Sequence, residues 1–380
     1  MTDFPFAQER ELFPILRHKV QLSSCSQSAL SLPVAQAMAA YQDGWLRQGM
    51  DWSGWMAGVA QAKSEFARLI GADADEIAVM SSVSDIASSV VGALDFSTER
   101  ARIVATALDF PSTGHVWLAQ QRRGAQVHFV EEGAEGGIEE AALLAAIDER
   151  TRLVALSQVS YYGGHLIDVA RVAERAREVG ALLWVDAYQS AGTLPIDVRR
   201  DGIDMLASGA QKYLLGCPGI AFVYIRRGLA QTLQPLNTGW FGRVNPFAFD
   251  IRGLDWADGA RRLDTGTPPM LNGCVAAAGL ALLNRLDMVA VRDHLRALSE
   301  VALETVREQG LATASPLDPA HKGSNTAVCV ADAAALEQRM AEAGYIVSAR
   351  GGVIRVAPHF YNTADEVRDA IRTLASLARA

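Results

Sequence analysis

Lysine is scarce in this chain. Only four of its 35 basic residues are lysine (Lys19, Lys63, Lys212 and Lys322), and the rest are arginine. Cysteine is equally sparse: Cys25, Cys217, Cys274 and Cys329 lie far apart without CxxC spacing. That argues against a disulfide framework or a metal site and for isolated thiols in a reducing compartment. No apolar run approaches the ~20 residues that span a bilayer; the longest is Val275–Leu283. No G-x-G-x-x-G follows an early strand pattern, which speaks against a dinucleotide-binding protein. The net charge of −8 is not broken by any basic stripe, so nucleic acid and anionic membrane are poor partners. Met1–Arg10 has no apolar segment behind basic residues, so no export signal is expected. The expectation is a soluble, cytoplasmic protein.

What is present is a large core. The chain has 380 residues, 50% of them hydrophobic and 21% charged, enough for one large and one small domain. Short apolar runs read as strands at Ile77–Met80, Arg102–Ala105, Gln126–Val130, Leu153–Ser157, Leu182–Asp186, Met205–Ser208 and Ala221–Ile225. Amphipathic stretches at Thr113–Arg123, Ile138–Ile147 and Val169–Val179 alternate with them. Such alternation predicts an α/β fold, a mainly parallel seven-stranded sheet with helices on both faces. Its ligands bind beyond the carboxyl ends of the strands. Gly228–Pro269 has weak periodicity and many Gly, Pro and aromatic residues, as functional or interface segments do. Strands at Thr326–Val330 and Val353–Ala357 and a last helix at Ala364–Arg379 predict a smaller α+β unit. The expected division is an N-terminal segment, 1–45, packing on the small domain, a large domain, 46–270, and a small domain, 271–380.

Against that background Lys212 stands out. Unlike guanidinium, its amine can lose a proton when desolvated and condense with a carbonyl as a Schiff base. The apolar run Leu182–Val185 ends in Asp186, 26 positions earlier. A carboxylate at a strand end, a short strand and then a lysine supply what pyridoxal 5'-phosphate (PLP) needs. The carboxylate partners the pyridinium nitrogen and the lysine binds the aldehyde.

The surrounding residues resemble a known family. Val185–Gly192, Pro195–Val198 and Asp204 with Ser208–Lys212 and Gly216–Gly219 look like the signature of class V aminotransferase-type, fold-type-I PLP enzymes. Kynureninases, isopenicillin-N-epimerase-like proteins and cysteine desulfurases belong to that group. The likeness runs from about residue 20 to 375. It implies a fold-type-I transferase with Lys212 as the Schiff-base lysine and Asp186 as the ring-nitrogen partner. Ser82, Val83 and Ser84 open a helix whose free N–H groups suit a phosphate. By resemblance Phe110 stacks on the ring, Gln189 bonds its phenolic oxygen, and Ser208 and Gln211 contact the phosphate. Trp240, in Gly239–Gly242, and Gly266 and Thr267, in Asp264–Pro269, imply a homodimer in which each subunit reaches the other's cofactor. Arg355, in Gly352–Thr363, matches the arginine that grips a substrate carboxylate, for which a planar bidentate donor is well shaped.

The resemblance leaves the reaction open. Ser348–Gly352 holds no nucleophilic cysteine and Cys329 lies in an apolar strand, so a persulfide-forming desulfurase is not expected. Gly239–Gly242 favours a kynureninase, but Gln211 stands where kynureninases carry a proton-donating tyrosine, so Tyr161, Tyr162 or Tyr213 would have to substitute. The favoured reading is a lyase or hydrolase cleaving at Cβ of an α-amino acid. The alternatives are an aminotransferase or epimerase acting at the Cα–H bond, or a non-catalytic PLP-binding scaffold. The expected side-chain pocket includes Ser24–Gln27, Trp52, Trp55, Tyr161, Tyr162 and Arg243, with Arg243 or Arg350 available to a second anion.

Overall fold

The computed structural model describes residues 4–133 and 136–379. Met1–Asp3 of the N-terminal expectation lie outside the described residues. Twelve strands occur among them. They are β1 (Val20–Gln21), β2 (Ile77–Met80), β3 (Arg102–Thr106), β4 (Gln126–Val130), β5 (Thr151–Ser157) and β6 (Leu182–Asp186). There follow β7 (Met205–Gly209), β8 (Ala221–Ile225), β9 (Thr326–Cys329), β10 (Tyr345–Ile346), β11 (Ser348–Arg350) and β12 (Val353–Val356).

Strands β2 to β8 form one seven-stranded sheet in the order β2-β8-β7-β6-β5-β3-β4. Pairing is parallel from β4 through β7, and β8 runs antiparallel to both β7 and β2. Helices cover both faces, so β7 and β8 are buried at every position. Burial on both faces is why these strands read as unbroken apolar runs rather than as alternation. Register aligns Ser157 with Asp186 and Asp186 with Ala207, so the exits of β5, β6 and β7 lie side by side.

The helices follow from local chemistry. Val169–Glu178 starts on Asp168, whose carboxylate accepts the N–H groups of Ala170 and Arg171. Its Val169, Val172, Ala173 and Ala176 face the core. The helix expected over Thr113–Arg123 instead begins at Pro111, ends at Leu118 and continues as a 3-10 turn over Ala119–Arg123. Proline is preorganised for the first helical turn. At the other end Arg123 donates to the carbonyls of Val91, Gly92 and Leu94, which tightens the exit. The Gly228–Pro269 segment carries only short helical turns.

A second, three-stranded sheet, β11-β12-β9, is antiparallel throughout. The helices Met288–Glu308, Ala333–Glu342 and Ala364–Arg379 pack around it. The N-terminal segment lies against the same unit. Phe6 meets Phe360 edge-on at 5.6 Å, Arg10 pairs with Glu366 at 2.6 Å, and β1 pairs with β10. The β1–β10 pair of two-residue strands has no period a sequence could display. Among the described residues no single helix is long and apolar enough to cross a membrane. Met270–Leu283 and Met288–Glu308 pass that test only as a pair, bent 83° at their junction.

Candidate active site

Three strand exits build the floor of the site. Asp186, at the end of β6, is buried, and its Oδ1 accepts the N–H of Tyr188 at 2.8 Å. Burial pushes its carboxyl up, against the opposing pull of that N–H and of Lys212. A second carboxyl stands beside it. Asp109 accepts the N–H of Ser157 at 2.6 Å and that of Thr106 at 3.0 Å, bridging the ends of β5 and β3. Burial pushes Asp109 up to about 6, and the charge on Asp186 adds to the effect. Sequence reasoning named its neighbour Phe110 and passed over Asp109. An acidic residue just after a strand gives no sign that it will turn back and cap two strand ends.

Lys212 follows β7 in the turn Ala210–Gly216, closed by a bond from the Gly216 N–H to the Ala210 carbonyl at 2.8 Å. Leu215 in this turn has φ 61°, a left-handed conformation unusual for a non-glycine residue. Lys212 Nζ lies over two aromatic rings, 4.1 Å from the centre of Tyr188 and 5.7 Å from that of Phe110. Desolvation pulls its amine down to about 8. The charge of Asp186 opposes that shift, while Arg355 and Arg350 reinforce it. Gln211 Oε1 accepts the hydroxyl of Tyr188 at 2.6 Å. Gly209 makes room for that tyrosine, because a Cβ there would fall 1.9 Å from the phenolic oxygen.

The phosphate candidates divide into two places. Ser82 caps the helix Val83–Gly92, accepting the Asp85 N–H at 3.1 Å and donating to the Asp85 carboxylate at 2.9 Å. Val83 is buried and Ser84 half-buried in the first turn. Ser208, on β7, is buried and donates only to the neighbouring Gly209 carbonyl, at 3.2 Å. Gln189 donates to the Cys25 carbonyl at 3.1 Å, and its own Oε1 is buried without a partner.

Arg355, on β12, is fully buried. It donates to the Tyr161 carbonyl at 2.9 Å, to Ser26 at 2.9 Å and to Ser348 at 2.8 Å, while Nε has no partner. No carboxylate among the described residues pairs with it, although 20 other pairs of Arg or Lys with a carboxylate are formed. A buried guanidinium without an anion is costly. The turn that carries Ser26 touches three site elements at once: Cys25 reaches Gln189, Ser26 reaches Arg355, and the Ser28 N–H reaches the Gln211 carbonyl at 3.2 Å.

Several other expected residues are engaged apart from Lys212, although Arg350 acts on its charge. Arg243 is engaged with Asp255 at 2.7 Å and with the Asp250 carbonyl, so it is not available to a second anion. Arg350 is exposed and forms no ion pair among the described residues. Trp55 stacks on Tyr41 at 5.0 Å, in a cluster with Trp45 rather than a pocket wall. Trp240 packs among Trp52, Phe241, Phe247 and Phe249. Gly266 and Thr267 line a cavity of about 170 Å³ with Ser81 and Met80. Asp264 anchors that segment by accepting the Val79 N–H at 3.1 Å and Lys63 Nζ at 2.5 Å.

These residues fit PLP. A buried carboxyl, a desolvated amine, a helix N-terminus and a Gln carbonyl oxygen lacking a donor lie at one edge of the sheet. Comparison with known proteins agrees. The class V aminotransferase family model matches residues 33–370. An uncharacterized aminotransferase of Bacillus subtilis, YcbU, is 40% identical over 371 residues, 97% of each chain. A kynureninase of Pseudomonas fluorescens is 29% identical over 363 residues, covering 90% of this chain and 85% of that one. Among solved structures, a cysteine desulfurase of Thermococcus onnurineus superposes with a TM-score of 0.87 at 20% identity. It covers 100% of this chain and 99% of its own, a likeness of fold.

Proposed function

Since the chain belongs to the class V aminotransferase family and is a PLP-dependent enzyme, we propose that it cleaves a bond at Cβ of an α-amino acid, as a lyase or hydrolase. The observation that carries the α-amino acid is Arg355. It is a buried cation whose Nε–H has no partner and which meets no carboxylate among the described residues, and a substrate carboxylate supplies what it lacks. Bound through Lys212, PLP supplies an electron sink for the pair left at Cα. Asp186 would hold the charge on the ring nitrogen, Gln189 would face the phenolic oxygen, and Phe110 would cover the ring. Ser82, Val83, Ser84, Ser208 and Gln211 would hold the phosphate. Lys212, with its amine free, would move the α-proton, a task suited to an amine drawn down to about 8.

Cleavage at Cβ is favoured by the kynureninase relative, which aligns over most of the chain. A persulfide-forming reaction is disfavoured because Cys329 ends β9 and no cysteine stands in Ser348–Gly352. The second reading, transamination, rests on the similarity to YcbU. A panel of amino acids decides between them. Release of pyruvate or alanine with a free leaving group supports Cβ cleavage. Conversion of the cofactor to its amine form with an oxo acid product supports transamination and overturns the first reading.

The reading includes a homodimer in the cytoplasm. Its support is an exposed apolar face on the Gly228–Pro269 segment: Leu236, Phe249 and Ile251 are 77%, 71% and 91% exposed. Trp240, Gly266 and Thr267 belong to the same region and would serve the partner's phosphate. Domain limits at 45/46 and 270/271 complete the proposal.

A further inference from the structure

Tyr188 escaped the sequence reading because three other tyrosines were weighed for the proton-donating role. None of those three hydroxyls bonds Gln211. Tyr213 is fully buried against Cys25 and Ala357, Tyr161 packs edge-on to Phe110 at 5.0 Å, and Tyr162 lies beyond Tyr161 at 6.2 Å. Tyr188 instead lies with its ring 4.1 Å from Lys212 Nζ and its hydroxyl on Gln211 Oε1. The Asp186 carboxylate fixes its backbone through the Tyr188 N–H. One short stretch thus positions a carboxyl and a phenol around the same amine.

We propose that Tyr188 is a catalytic residue, the general acid that protonates the group leaving from Cβ, with Gln211 holding its hydroxyl in place. The assignment rests on the reading that Lys212 carries the cofactor and that a bond at Cβ breaks. Lys212 takes the α-proton and becomes an ammonium. The Cβ–leaving group bond breaks with its electron pair on the departing atom, and the Tyr188 O–H breaks to give that atom its proton. The phenolate then recovers a proton from the Lys212 ammonium. The α-hydrogen and the leaving group depart together, and both side chains return to their starting state.

The timing follows from charge. Burial holds the resting phenol up at about 12, so it stays protonated, and Gln211 offers an acceptor that cannot remove the proton. A positive charge appearing 4.1 Å from the ring favours the phenolate when the proton is needed. Gln211 therefore need not titrate. It serves as the rest for a phenol that comes from another part of the chain.

The test compares leaving groups that need a proton with one that does not. β-Chloroalanine loses chloride, which needs no acid, whereas S-alkylcysteines and O-alkylserines leave as anions that do. In Tyr188→Phe holoenzyme, kcat with the alkyl substrates should fall by about 100-fold or more. With β-chloroalanine it should change by less than about threefold, and KM should move little in either case. A purely structural tyrosine would slow both alike, and that result overturns the assignment, as would a selective loss in Tyr161→Phe instead. A wild type that releases pyruvate from neither class overturns elimination at Cβ and this assignment with it, whereas release of alanine with a free leaving group from the amino-acid panel would leave the hydrolytic Cβ reading standing. A second measurement needs no turnover. With tyrosine labelled at Cζ, the resonance missing from Tyr188→Phe should shift when PLP is added to cofactor-free protein and again in Gln211→Leu; no shift with either overturns the placement.

Discussion

His359 Nε2 donates to the carbonyl oxygen of Tyr213, 3.1 Å away, and joins the segment after β12 to the residue beside Lys212. Nδ1 of the same ring accepts the Phe360 N–H at 2.8 Å, so both nitrogens are committed and the imidazole is neutral. Burial pulls its pKa down to about 3.

From this follows an acid lability. A base whose pKa is lower folded than unfolded stabilises fully above about 6.5 and loses that contribution as pH falls toward 3. The slope is up to about 1.4 kcal/mol per pH unit. Urea unfolding at pH 7 and pH 5 should show a larger drop in wild type than in His359→Gln. Equal drops would show that the ring titrates freely.

Lys212 should capture PLP faster than an ordinary lysine. With its amine at about 8, roughly a tenth is neutral at pH 7, against less than about a thousandth for an unperturbed side chain. Stopped-flow capture by cofactor-free protein should accelerate with pH and level off above about 8. Lys212→Ala should show no visible band.

Removing the guanidinium of Arg355 should cost binding more than fold. Arg355→Gln should lower kcat/KM for α-amino acids by about 100-fold, chiefly through KM, since charge-assisted bonds contribute about 1.5–3 kcal/mol each. The visible band should remain. An unchanged KM would assign the carboxylate to another residue.

Lys322 is buried with three neutral acceptors, Ser299, Gly323 and Thr326, and desolvation pulls it down to about 7. Between about 7 and 10 the unfolded chain holds a proton that the folded chain has lost, so wild-type stability should rise with pH by about 1.4 kcal/mol per unit. Lys322→Met should lack this rise. Parallel pH curves for the two proteins would contradict the shift.

The exposed apolar face should control assembly. Ile251→Asp should give a monomer by light scattering, with weakened PLP retention, if each subunit completes the other's site. A dimer indistinguishable from wild type would move the interface elsewhere.

Much of the frame was legible because buried parallel strands print themselves as apolar runs. Four of the seven large-sheet strands have the expected limits, β2, β4, β6 and β8, and β3, β5 and β7 extend them by one or two residues. The Lys212–Asp186 relation was legible because the two lie on neighbouring strand exits with little chain between them. Tyr188 and Asp109 were not, since their placement depends on where a side chain turns after the strand ends. Arg243 was misjudged for the same reason: Asp255, twelve residues on, claims it. The β1–β10 pairing and the reach of the Ser24–Ser28 turn to residues beyond 350 are contacts at long sequence separation, which local pattern does not encode.

That turn gives the protein an order of assembly. Ser26 leaves the ribosome 329 residues ahead of Arg355, yet Arg355 is held by Ser26, and the Tyr361 hydroxyl takes the Ala29 N–H and meets Ser24. The pocket between them therefore cannot close on a chain that stops short of residue 355. Lys212 and its strand can be in place, but the Ser26–Arg355 contact waits until residue 355 has emerged.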